Sequence, residues 1–129
     1  MNGSPRNTPT DKGTEELLTL VANVLAGLKM CWKFVQNLRA STVQQITYAG
    51  LVADIVNKKP DDPYIKRCSV LRNPCPDGST ELVIVYLDDL NHPVWGPNPE
   101  RPFGWKMKTK KLDQELLEAF GNNNMLILD

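Results

Sequence analysis

Residues 81–87 read Glu-Leu-Val-Ile-Val-Tyr-Leu. The run from Leu82 to Leu87 is short and rich in β-branched and aromatic side chains, which predicts a strand, and its lack of polar alternation predicts burial on both faces. Just before it, Asn73-Pro74-Cys75-Pro76-Asp77-Gly78-Ser79 is dense in turn formers. That segment predicts a hairpin to an extended stretch over 64–72. Downstream, residues 105–111 alternate, placing Trp105, Met107 and Thr109 inward and Lys106, Lys108 and Lys110 outward on a third strand. Asp113 then supplies an N-cap for a short helix over 114–120, which Gly121 terminates. The apolar run Met125-Leu126-Ile127-Leu128 offers a fourth strand.

Upstream of residue 60 the period is helical. Between residues 15 and 39, Leu17, Val21, Val24, Leu28, Cys31, Val35 and Leu38 form one apolar stripe. Leu18, Leu25 and Trp32 form a second at seven-residue spacing, with Leu20 and Phe34 widening the surface. Thr14 has N-cap chemistry, and Glu15 and Glu16 suit the positive end of the helix dipole. Ser41-Thr42-Val43-Gln44 reads as a capping box that starts a second helix, running to about residue 57. Gly50 within it implies close approach of another element, since glycine costs ~1 kcal/mol there relative to alanine. The expectation is an α+β domain over 14–129: an N-terminal helical hairpin on one face of a three- to four-stranded, mainly antiparallel sheet, with a short C-terminal helix.

The chain has 129 residues, fifteen basic and fifteen acidic side chains, and three cysteines. A formal net charge of zero gives no global field for nucleic acid or an anionic membrane. The odd cysteine number and a start that lacks signal-peptide character lead to the expectation of free thiols in a reducing compartment, cytoplasmic or nuclear. Asn23, Lys29 and Lys33 interrupt the first helix before the ~20 apolar residues that a membrane span needs. Residues 1–13 contain almost nothing apolar and are expected to form a disordered tail. That tail carries Ser4-Pro5 and Thr8-Pro9, suited to a proline-directed kinase, and Asn2-Gly3-Ser4, which matches a glycosylation acceptor.

Two surfaces attract a functional reading. A helix of 25 residues is roughly 37 Å long, about the diameter of the whole domain, so the second stripe is free to meet another protein or a second copy. The seventeen residues 88–104 contain Pro93, Pro97, Pro99 and Pro102 around Val94, Trp95 and Phe103; a loop of that length is usually either functional or disordered, and its rings suit either a recognition surface or a lid folded over the sheet edge. Leu18, Leu25, Trp32, Val94, Trp95 and Phe103 are therefore the candidate partner-binding residues of a non-enzymatic interaction module, adaptor or complex subunit. The competing reading is nucleic-acid (RNA) binding by Arg101, Lys106, Lys108, Lys110 and Lys111 beside Phe103 and Trp105.

Catalytic patterns are sparse. Tyr86-Leu87-Asp88-Asp89 resembles the YxDD signature of reverse transcriptases, and that resemblance implies paired carboxylates on magnesium. It covers about eight residues, and a polymerase palm also needs a third carboxylate, fingers and thumb, for which the chain has no room. Asp88 and Asp89 then read as a solvated or turn-capping strand end. Cys31, Cys68, Cys75 and His92 have zinc-ligand chemistry, but six residues separate Cys68 from Cys75 instead of the usual two to four. His92, the sole histidine, could pair with Cys75 or Cys68 as a nucleophile, but no accompanying motif supports it. No cofactor or metal is expected.

Overall fold

The computed structural model describes residues 8–129. It is α+β, with five strands, β1 (Ala40–Thr42), β2 (Arg67–Pro74), β3 (Thr80–Leu87), β4 (Gly104–Thr109) and β5 (Met125–Leu128). Their spatial order is β1-β4-β3-β2-β5, so the apolar run of β3 is the central strand. β2, β3, β4 and β5 pair antiparallel, and β1 joins β4 in parallel. The sheet is thus mixed and one strand wider than the upper sequence expectation. The hairpin turn closes with the Cys75 amide donating to the Ser79 carbonyl at 2.9 Å, and Gly78 supplies the positive φ of 88°.

Four helices complete the order: α1 (Thr8–Met30), α2 (Trp32–Val35), α3 (Tyr48–Asn57) and α4 (Gln114–Phe120). They cover both faces of the sheet, not one. Val83, Val85, Leu87 and Met125 pack with Val24, Leu28, Val35 and Leu38 of the α1–α2 side. Val70, Leu82, Ile84, Tyr86 and Met107 pack with Leu51, Ile55, Leu116 and Phe120 of the α3–α4 side. Strict alternation along β3 feeds the two cores, as a strand buried on both faces requires.

Several local expectations give way to tertiary contacts. The helix over 15–39 is broken at Cys31 (φ −118°, ψ 25°), whose amide reaches back only to the Leu28 carbonyl at 3.2 Å and whose thiol donates to the Gly27 carbonyl at 3.3 Å. A one-residue interruption leaves the apolar period nearly intact, so periodicity does not reveal it. At the other end α1 begins at Thr8 rather than after Thr14, with Pro9 in the first turn where its missing N–H costs nothing. Residues 8–13 of the expected tail are thus helical, and residues 1–7, with Ser4-Pro5 and Asn2-Gly3-Ser4, lie outside the described residues.

The Ser41 capping box starts no helix. The Lys106 amide donates to the Arg39 carbonyl at 2.8 Å and the Val43 amide to the Lys108 carbonyl at 2.9 Å, so residues 40–42 are drawn into the sheet. α3 begins later, where Thr47 Oγ1 accepts from the Gly50 amide at 3.0 Å. A Cβ on Gly50 would lie 2.8 Å from that same oxygen, so this glycine serves the cap and not the approach of another element. Asp113 Oδ1 caps two helices at once, accepting from Leu116 of α4 at 2.9 Å and from Tyr48 of α3 at 3.1 Å. Among the described residues, no helix is long and apolar enough to cross a membrane.

Candidate functional site

The 88–104 segment is a structured insertion. Asp88 Oδ1 accepts from the amides of Leu90 and His92, each at 2.9 Å, closing a turn in which Asn91 has φ 64°. Beyond it the chain runs back between the diverging ends of β3 and β4. The Val94 amide donates to the Tyr86 carbonyl at 3.0 Å, and the Phe103 amide donates to the Val94 carbonyl at 2.9 Å. Val94 is consequently buried in the α3–α4 core and is not presented, whereas Phe103 packs partly against that core and stays half-buried. Trp95 is 38% exposed and stands edge-on to Phe34 of α2, with ring centroids 5.2 Å apart. Asn37 Nδ2 ties α2 to the Glu100 carbonyl at 2.8 Å. The insertion and α2 therefore form one continuous surface.

On α1, burial increases along the chain. Leu17 and Leu18 are 45% and 51% exposed, whereas Val24 and Leu28 are fully buried. Leu25 and Trp32 are half-buried against the α1–α2 core, so the second stripe is covered at its carboxyl end and open at its amino end.

Of the five cations read as one lysine face, two share a cleft and three lie outside it. Lys106 Nζ donates to the Gln36 carbonyl at 3.0 Å, and Lys108 Nζ pairs with Asp77 at 3.3 Å. Lys110 and Lys111 are exposed beyond the carboxyl end of β4, and Arg101 lies before its amino end. Arg101 and Lys106 line a cleft of about 540 Å³ together with Arg39, Lys58, Phe103 and Trp105. Lys58 Nζ sits 4.8 Å from the Trp105 ring centroid, a cation over an aromatic face. Sequence reasoning missed Arg39 and Lys58. Each is an ordinary surface cation in its own segment, and it is the parallel pairing of β1 and the end of α3 that bring them to the cleft.

The chemistry-bearing residues stay apart. Cys31 belongs to the α1–α2 side and Cys68 to the α3–α4 side, so the sheet lies between them. Cys75 is at the β2–β3 turn and His92 follows the far end of β3, separated by a strand of roughly 25 Å. Burial pushes the Cys68 thiol up to about 12 and raises Cys31, which leaves both thiols protonated and poor as nucleophiles or ligands. The Tyr86 hydroxyl donates to the Ile55 carbonyl at 2.5 Å; burial, then the nearby Cys68 and Asp54, raise its pKa. Asp88 is engaged in its turn and Asp89 is exposed. Among the described residues, no group of three or more His, Cys, Asp or Glu side chains is placed to hold a metal ion. Comparison with protein-family models, with curated proteins and with solved structures gives no match.

Proposed function

We propose that this chain is a non-enzymatic protein-interaction module, an adaptor or a subunit of a larger assembly, docking through the amino-terminal half of α1. The observation that carries the reading is the pair Leu17 and Leu18, about half exposed on the helix whose Val24 and Leu28 anchor a core. Half-buried Val21 and Leu25 continue the ridge within α1, and the seven-residue spacing of Leu18 and Leu25 suits side-by-side helix packing. Covering an exposed half of a leucine contributes on the order of 1 kcal/mol. A few such side chains along a rigid helix therefore give a usable docking ridge. A second copy is the simplest occupant, because an isologous contact needs one self-complementary surface and formally neutral chains do not repel.

The test is the mass of the full chain against concentration, by light scattering after size exclusion, for the native protein and Leu18→Asp. A dimer, twice the 14.5 kDa of one chain, that the substitution returns to a monomer supports the proposal. A monomer at every concentration refutes self-association, and a dimer indifferent to Leu18→Asp places the contact elsewhere.

A further inference from the structure

We propose that the cleft between the carboxyl end of α3, the β1–β4 edge and residues 96–103 binds a nucleotide phosphate, carried by a free mononucleotide or by single-stranded RNA. Four cations line it: Arg39 before β1, Lys58 after α3, Arg101 in the insertion and Lys106 on β4, whose Nζ already donates to the Gln36 carbonyl and leaves the other three as the ligand-facing set. Among the described residues, no carboxylate side chain lines the cleft. The ion pairs among the described residues, Arg67 with Asp129 and Lys108 with Asp77, leave these three cations for a ligand. In a chain of zero net charge, gathering them makes a local positive field, and guanidinium groups favour phosphate because two of their donors match two of its oxygens.

The aromatic lining selects within the phosphates. Phe103 and Trp105 give the cleft apolar planar surface that inorganic phosphate leaves unused and that a base or ribose covers. The wall is also built in advance. A Cβ on Gly96 would come within 2.5 Å of the Phe103 ring, so the backbone lies directly on that side chain, and Pro97 and Pro102 limit its alternatives. A pre-formed wall spares the ligand the entropy of ordering it. The volume of about 540 Å³ is within the range of small-ligand sites. This site is separate from the exposed end of α1, and neither proposal depends on the other.

The experiment is calorimetric titration of the full chain with adenosine monophosphate, a short oligouridylate, inorganic phosphate and a phosphoserine peptide. Binding of the nucleotide or oligonucleotide is expected to weaken tenfold or more in Arg39→Glu and in Arg101→Glu, and to be unchanged in Lys110→Glu/Lys111→Glu, which lies outside the cleft. With about three phosphate contacts, oligonucleotide affinity should fall roughly 20-fold between about 50 and 200 mM salt. Tighter binding of the oligonucleotide than of the mononucleotide assigns the source to RNA; equal affinity assigns it to the free nucleotide. Arg39 is exposed and Arg101 half-buried, so both variants should keep the native melting temperature within a few degrees. The proposal is overturned by no binding of either ligand at low salt, or by inorganic phosphate or the phosphopeptide binding as tightly. It is equally overturned if affinity follows Lys110 and Lys111 instead of the two arginines.

Discussion

Replacing Leu28 with alanine separates the anchored half of α1 from its exposed half. Leu28 is fully buried among Val24, Val35, Leu38, Val83, Val85 and Leu87, a site walled by two helices and the central strand. Its truncation loses the transfer free energy of the removed carbons and leaves a hole that a sheet-backed site cannot close, about 3–4 kcal/mol in all. Leu18, half exposed, loses little packing and leaves no cavity, so Leu18→Ala should cost below about 0.5 kcal/mol, with alanine's helix propensity offsetting part of it. Against a total stability of about 5–15 kcal/mol, the first change is large and the second is close to error. Urea titration followed by circular dichroism reads both, with an unchanged m value showing that the same surface unfolds. Leu28→Ala should lower the melting temperature by about 10–15 °C for a chain of this size. A Leu28→Ala cost under 1 kcal/mol would mean that α1 does not fold with the sheet. Equal costs at the two leucines would mean that the amino-terminal half is also core, removing the basis of the docking surface.

Other perturbations test the fold around the site. Asp113→Ala should cost about 2 kcal/mol in chemical denaturation, since one carboxylate oxygen caps both α3 and α4, while Asp113→Asn should recover most of that. Gly104→Ala should prevent the native β3–β4 pairing, because the new Cβ would meet the Ile84 carbonyl oxygen at 2.0 Å; loss of cooperative melting is the expected readout, and a native-like melt refutes the stated geometry. Stability should decline in alkali. The Cys68 pKa is pushed up to about 12 by burial, so above about pH 8.5 the unfolded chain releases a proton that the folded one retains. That contribution is fully present below pH 8.5 and is lost towards pH 12 at up to about 1.4 kcal/mol per pH unit. Cys68→Ala should flatten the decline between pH 9 and 10, before Tyr86 adds its own.

Much of this fold was legible because its signals are local. The β3 run, the Asn73–Ser79 turn, the Asp113 cap, the Gly121 stop and the last apolar run each act through neighbours within a few residues, where propensity and capping chemistry decide. The double burial of β3 also carried the information that both faces are covered, which the one-faced arrangement of helices did not use. β1 was hidden for the opposite reason. Ser41-Thr42-Val43-Gln44 has a helix-start pattern, but the Lys106 and Val43 amides gain sheet partners from residues more than sixty positions apart, and those bonds outweigh a cap.

The candidate surfaces divide along the same line. Sequence alone determined the α+β class, the doubly buried strand over 81–87, the apolar ridge of the first helix and the presence of a proline and aromatic insertion. Tertiary structure decided which end of that ridge stays open, sent Val94 into the core, and set Trp95 on Phe34. It also set Lys108, Lys110 and Lys111 apart from the cleft where it gathered Arg39, Lys58, Arg101 and Lys106. Periodicity records which side of an element is apolar. It does not record what that side meets, because burial and charge proximity depend on segments that only the closed sheet brings together.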